Sequence, residues 1–319
     1  MNVVLGLDTS CYTTSVAAVD ERGRVLASCR KLLPVPRGER GLRQSEAVFA
    51  HVRQMPQVME ELEPVLRREN AQICAVTASN APREDEDSYM PVFLAGSGQA
   101  KTLAAALGVP CYFFSHQQGH VAAGQIGHAR EMDGRFVALH ISGGTTDLLL
   151  WDRGNLTPLG GSLDLHAGQM VDRVGVSMGL DFPAGPALER LAMTCEEPSK
   201  SLLPVSMARK GLQCHLSGAE SQCSRWLKEK IFSRERIALE TFDFLARTTV
   251  RLIGAGCLET KTRQALVVGG VAASTLLREM VRKRLEKAES SVNLLFGKPE
   301  YSADNAAGIA FLGAQRHFE

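Results

Sequence analysis

The spacing of apolar residues changes along the chain, and each spacing names an element. The run VVLGLD at 3–8 is apolar and β-branched; after the small-residue turn TSCYTTS come SVAAVD, the turn ERGR and VLASC. Short apolar runs separated by turn residues predict a meander of three strands. From Ser45 to Asn70 the pattern shifts: Val48, Val52, Met55, Val58, Met59, Leu62, Val65 and Leu66 recur at helical intervals. A strand ICAVTAS at 73–79, a helix over 96–108 closed by Gly108, the strand CYFFS and a helix carrying HQQGHVAAGQIGH follow.

Near residue 136 the meander starts again, with RFVALHIS, a glycine pair, TTDLLLWD, the turn RGN and LTPLGGS. Beyond it the pattern predicts a long helix over 237–260, a strand at 265–271, a helix at 274–288, a strand at 292–297 and a terminal helix from Asp304. A meander that opens on a small-residue turn, gives way to helices and then recurs points to a duplicated unit rather than one doubly wound sheet. The expected division is 1–115 and 116–319, with the terminal helix able to return to the first half.

Composition narrows the function classes. A chain of 319 residues with 45% hydrophobic and 22% charged residues has enough apolar surface for more than one core and is not a disordered polymer. Its 36 Lys and Arg against 35 Asp and Glu give no overall basic signature for nucleic acid, so any such contact must be local. The local cluster is Arg278, Arg282, Lys283, Arg284 and Lys287, which reads either as a solvated helix face or as a phosphate contact. Eight scattered cysteines without zinc-finger spacing read as reduced thiols. With no leader-like start and no apolar run of membrane-spanning length, the expected location is the cytoplasm.

Three motifs carry candidate chemistry. ISGGTTDLLL places Gly143 and Gly144 between two strands, where bare backbone N–H groups can approach phosphate oxygens, although a glycine pair also suits an ordinary hairpin. LVVGGVAAS places Gly269 and Gly270 between a buried strand and a helix, a position that receives nucleotides in sheets of this kind. Together with LDTS at 7–10, this order resembles the actin, sugar-kinase and chaperone ATPase superfamily. The fold it implies is α/β, two actin-like ATPase-type lobes with a nucleotide cleft between them. His116 and His120, spaced i and i+4, share a helix face and can serve one metal ion, or be two solvated histidines. The residues between them are Gln117, Gln118 and Gly119. None can act as a general base, which removes the support for a metallopeptidase.

Seven segments in order resemble the TsaD (YgjD-type) tRNA threonylcarbamoyltransferase family, once called sialoglycoproteases: LGLDTSCYTTSVA, SHQQGHVAAG, ISGGTTDL, AGQMVDR followed by GLDFPAGPALERLA, LSGAES, VVGGVAAS and SADNAAGIA. The resemblance implies that His116, His120 and Asp304 hold an iron or zinc ion. It also implies that Ser142, Gly143, Gly144, Thr145, Asp172, Gly185, Glu189 and Ser274 surround an adenine nucleotide or threonylcarbamoyl-AMP. The implied reaction passes threonylcarbamoyl to the exocyclic amine of the adenosine next to the anticodon and releases AMP, with no side-chain nucleophile. The implied partners are tRNA, an adenylate-forming enzyme and small subunits of a threonylcarbamoylation complex.

This chain departs from the family pattern at several of these places. Tyr12 and Thr13 replace an acidic pair, Gln118 and Gln169 replace glutamates, Thr145 replaces a histidine, Ser274 replaces an asparagine, and Ala219 and Glu220 stand where a lysine is expected. Such losses of charge motivate an alternative: a diverged nucleotide- and metal-binding paralogue that is a regulatory or assembly subunit, or acts on another acceptor.

Overall fold

The structure, a computed structural model, describes residues 1–10, 12–34, 42–84, 88–128, 131–132, 134–198, 200–303 and 306–318. It is mixed α/β with two sheets and divides into two compact units, Met1–Ala129 with Ala303–Glu319, and Arg130–Ser302. The compact division differs from the expected break at 115/116. The helix that begins at His116 belongs to the first unit because it packs against the C-terminal helix, as set out below.

In the first unit, β1 (Asn2–Asp8), β2 (Thr13–Asp20) and β3 (Val25–Leu32) form the antiparallel meander that the sequence pattern predicts. Helix α1 (Gln44–Arg68) precedes β4 (Gln72–Ala81), which lies parallel to β1, and α2 (Val92–Leu107) precedes β5 (Cys111–Ser115), parallel to β4. The order is β3-β2-β1-β4-β5. Leu5, Leu7, Val16, Val76 and Ala78 of the sheet meet Met55, Val58 and Leu62 of α1 and Ala100 and Ala104 of α2 in one apolar core. Gly108 closes α2 in the left-handed conformation, φ 66°. Helix α3 (His116–Gln125) starts where β5 stops, capped by Ser115, whose Oγ accepts the Gln118 N–H at 3.1 Å. The C-terminal helix (Ala307–Phe318) lies against β1, β4 and α3, and Thr77 Oγ1 of β4 bonds the Ile309 carbonyl at 3.2 Å.

The second unit repeats the plan. Strands β6 (Arg135–Ile141), β7 (Thr146–Asp152) and β8 (Asn155–Ser162) form an antiparallel meander. Helices α4 (Ala167–Ser177) and α5 (Gly185–Met193) follow, then the short strands β9 (Ser206–Ala208) and β10 (Gln213–His215), then α6 (Ser217–Lys228) and α7 (Arg234–Thr260). Strand β11 (Gln264–Val268) runs parallel to β6, α8 (Thr275–Lys287) follows it, and β12 (Asn293–Phe296) is parallel to β11. The order β12-β11-β6-β7-β8-β10-β9 contains the five-strand pattern of the first sheet with two strands added at one edge. Buried α7 is the centre of this core, with Phe242, Leu245, Leu252 and Ile253 packed among sheet and helix residues. No helix among the described residues is long and apolar enough to cross a membrane.

Candidate functional site

In the first unit the chemistry gathers where β1, β4 and α3 meet. Asp8, at the end of β1, is fully buried; its carboxylate accepts from Ser10 Oγ at 3.0 Å and from Ser79 Oγ. His116 Nδ1 lies 3.0 Å from Asp8 Oδ2. A proton on Nδ1 donated to that carboxylate places the neutral imidazole's lone pair on Nε2, the arrangement in which carboxylates orient metal-binding histidines. The rings of His116 and His120 stand edge to face with centroids 4.4 Å apart, so the i, i+4 spacing does bring both imidazoles together. The sequence reading did not pick out Asp8 itself; its signal was the LDTS motif at the end of a buried strand.

Helix α3 is held to the C-terminal helix by an approach with no room for a side chain. A β-carbon added to Gly308 falls 1.8 Å from the Gly119 carbonyl oxygen, and one added to Gly119 falls 2.8 Å from Ile309 Cδ1. Asp304, the third ligand expected from the resemblance, lies outside the described residues. Among the described residues no three His, Cys, Asp or Glu side chains form a ready metal cage. Two imidazoles with one oriented by a buried carboxylate nonetheless fit the donor chemistry of a divalent ion.

In the second unit, the Ser142–Thr145 turn joins β6 to β7, closed by Ser142 N–H to Thr145 O at 2.8 Å. The start of α4 is pressed onto this turn. Gly168 N–H donates to Ser142 O at 3.0 Å and Ala167 N–H to Thr146 Oγ1 at 2.8 Å. A β-carbon on Gly168 would sit 2.6 Å from Gly143 N, so only glycine allows the contact. Gly269, at φ +99°, lies against β6 in the same way: its β-carbon would fall 2.4 Å from Ile141 O.

The remaining candidates join this turn through hydrogen bonds. Asp172 Oδ1 of α4 accepts the Ala184 N–H at 2.8 Å, which fixes the start of α5 at Gly185. Glu189 Oε1 of α5 accepts from Leu276 N–H at 2.8 Å and Thr275 Oγ1 at 2.9 Å, which fixes the start of α8. Ser274 caps α8, accepting the Leu277 N–H at 3.1 Å. The structure thus links the starts of α4, α5 and α8 in sequence to the Ser142–Thr145 turn. β-Carbons added at Gly143, Gly144 or Gly270 meet nothing within 4 Å, so these backbones face open space. Helix starts and bare turn amides form a surface suited to anionic ligands. Gly168 and Thr146, which build it, were not singled out from the sequence.

The basic cluster on α8 is largely committed to internal structure. Arg278 bonds the carbonyls of Ala272 at 2.5 Å and Gly297 at 2.6 Å and lies over the Phe296 ring; burial and then the nearby Arg282 pull its pKa below the ordinary arginine value. Arg282 covers the same ring, and Arg284 pairs with the fully buried Asp243. Lys283 faces Glu279 at the surface. Burial pushes the thiols of Cys214, Cys223 and Cys257 up to about 12, 11 and 11, which makes them inert packing groups at neutral pH.

A family model described as TsaD, tRNA N6-adenosine threonylcarbamoyltransferase, matches residues 45–311. A protein of Methanothermobacter thermautotrophicus, named a probable bifunctional tRNA threonylcarbamoyladenosine biosynthesis protein, is 30% identical over 315 residues. That match covers 97% of this chain and 55% of the relative, so the chain spans about half the relative's length. Among solved structures, full-length HypF in its phosphate- and nucleotide-bound form matches with a TM-score of 0.66 at 11% identity, over 99% of this chain and 46% of HypF. A ROK family glucokinase from Streptomyces griseus, in complex with glucose and AMPPNP, matches with a TM-score of 0.51 at 14% identity, over 97% and 98% of the two chains. These likenesses establish the fold, that of actin-like ATPases and sugar kinases.

Proposed function

The chain belongs to the TsaD family of tRNA N6-adenosine threonylcarbamoyltransferases, and on that premise we propose that it moves threonylcarbamoyl from threonylcarbamoyl-AMP to the N6 amine of the adenosine next to the anticodon. In this reaction the amine attacks the carbamoyl carbonyl carbon, the bond from that carbon to the adenylate oxygen breaks, AMP departs and the amine loses a proton. Both the oxyanion and the departing phosphate carry negative charge. What the chain must supply is a set of fixed donors where that charge develops, rather than a nucleophile.

The observation that carries the proposal is the linked set of helix starts around the Ser142–Thr145 turn. In this reading the turn amides and the first turn of α4 receive the phosphate. Asp172 and Glu189 each use one carboxylate oxygen to hold a neighbouring helix start, and the other oxygen is the acceptor for a ribose hydroxyl. Gly185 and Ser274, at the starts of α5 and α8, border the adenosine in this reading. His116, His120 and Asp304 would hold the divalent iron or zinc ion. When bound, that ion supplies Lewis-acid polarisation of substrate oxygens. tRNA, an adenylate-forming enzyme and small partner subunits complete the proposed system, placed in the cytoplasm.

Nucleoside mass spectrometry of unmodified tRNA, incubated with the protein, threonylcarbamoyl-AMP, Fe(II) or Zn(II) and the partner proteins, tests this reading. Threonylcarbamoyladenosine is expected, and Asp304→Ala should lower its yield by more than about 100-fold. If no product forms in a mixture where a relative with the full family pattern succeeds, the transferase reading fails and a nucleotide-binding paralogue takes its place.

A further inference from the structure

The chain leaving β4 folds over the first turn of α3 and is bonded to it twice. Pro82 O accepts the Gln117 N–H at 3.1 Å, and Glu84 Oε1 accepts from Gln118 Nε2 at 2.8 Å. The other end of the Gln118 amide is also engaged: its Oε1 accepts the Ser115 N–H at 2.6 Å. Gln118 is 7% exposed, so this buried amide is held with its donor toward Glu84 and its acceptor toward Ser115.

Only an amide can do both. A glutamate at 118 would keep the Ser115 bond but set a second carboxylate at hydrogen-bonding distance from Glu84, turning an attraction into repulsion between like charges. Glu84 and Gln118 are therefore matched to each other. This accounts for the glutamine at the position where the family pattern has glutamate.

Gln118 lies on the helical turn that begins with His116, and His116 is tied on its own side to Asp8. That turn is thus held from β1 through the histidine and from residues 82–84 through Gln117 and Gln118. We propose that Glu84 is a positioning residue for the histidine pair: through Gln118 it fixes the first turn of α3, so that His116 and His120 present their nitrogens to one ion. This rests on the metal reading above. Glu84 acts through Gln118 and is not itself a ligand.

The test is a Co(II) titration of the full chain, read from the visible d–d bands, with a thermal melt of each variant. Gln118→Glu and Glu84→Ala should each weaken Co(II) binding about 10- to 100-fold, the usual effect of losing a group that orients a metal ligand. Glu84→Gln, which keeps an acceptor oxygen, should stay within about threefold of the parent. The exchanged pair Gln118→Glu with Glu84→Gln restores an amide donor to a carboxylate and should recover binding to within about threefold. A parent chain that binds Co(II) no better than Gln118→Glu and Glu84→Ala overturns the positioning role while leaving the metal reading in place. A parent chain that does not bind Co(II) at all overturns both. Should Gln118→Glu fail to fold, Glu84→Ala against Glu84→Gln decides, and equal affinity in these two overturns the proposal.

Discussion

Gly308→Ala is the sharpest perturbation of the first unit. The added β-carbon would lie 1.8 Å from Gly119 O and 2.8 Å from Ala123 N, whereas ordinary contact starts at 3.4 Å. The C-terminal helix and α3 must separate by about 1.5 Å, and overpacking of this kind costs about 1–3 kcal/mol. Because the obstacles are backbone atoms the cost lies at the upper end of that range, and with up to about 1 kcal/mol recovered by alanine in place of glycine in a helix the net loss is about 1–2 kcal/mol. For a chain of this size that lowers the melting temperature by about 1.5–3 °C. Because α3 carries His116 and His120, Co(II) affinity should fall about tenfold as well. The control is Gly98→Ala on α2, where a β-carbon meets nothing within 4 Å; it should stabilise by about 0.5–1 kcal/mol. The assay is a circular-dichroism melt beside a Co(II) titration for both variants. A Gly308→Ala protein that melts at or above the parent would refute the close helix crossing and the ligand positioning built on it.

Gly168→Ala should leave the melt within about 3 °C of the parent but weaken AMP binding, read by calorimetry, about tenfold, a loss of about 1.4 kcal/mol; unchanged affinity would separate the contact between α4 and the turn from ligand binding. Glu189→Ala removes the acceptor at the start of α8 and should cost about 1–2 kcal/mol in urea unfolding, with Glu189→Gln closer to the parent. Asp164 gives the pH dependence. Burial pushes its carboxyl up, but donors from Ser217 Oγ and the amides of Leu216, Leu165 and Ser217 outweigh this and hold it at about 2, against an ordinary value of 3.8. A carboxyl depressed on folding adds stability above its unfolded value, and that stability is lost as pH falls from about 4 toward about 2. Solvent screening reduces the gain to about 1 kcal/mol, and unfolding of Asp164→Asn between pH 5 and 2 should show a shallower decline than the parent.

Both meanders, α1, α7, α8 and the parallel strands were legible because each buries a periodic apolar face, and periodicity within a short window records burial. Residues 163–233 were not legible in that way. Helix α4 contains Gly168 and Gly175, α5 begins Gly-Pro, and α6 opens Ser-Gly-Ala, all weak local signals for a helix. Their starts are fixed by distant side chains: Asp172 holds Ala184 N–H, and Asp164 holds Leu216 N–H at 2.8 Å. Caps supplied across 12 and 52 residues of chain leave no trace in a local pattern. The expected start of α2 at 96 was late for the same reason, since Thr9 Oγ1 of the first turn bonds Val92 O at 2.8 Å and Gly96 N–H at 3.0 Å.

The departures from the family pattern look different once their hydrogen bonds are known. Gln118 and Gln169 occupy the same place in two helices, the third position, where a side-chain oxygen reaches back to the capping residue: Gln118 Oε1 to Ser115 N–H at 2.6 Å, and Gln169 Oε1 to His166 N–H at 3.2 Å. Glutamine performs that duty as glutamate does. Ser274 likewise caps α8 with its hydroxyl, and serine and asparagine are close equivalents there. At these three positions the chain has lost charge, or an amide, without losing a backbone bond. What changes is the field. A neutral Gln169 in the first turn of α4 removes a negative charge from the helix start that the proposed phosphate approaches, and removing it favours an anion there by about 0.3–1 kcal/mol. Three caps are thus kept while the one carboxylate replaced beside the proposed phosphate turn is neutralised, so these three replacements do not by themselves argue against the proposed ligand.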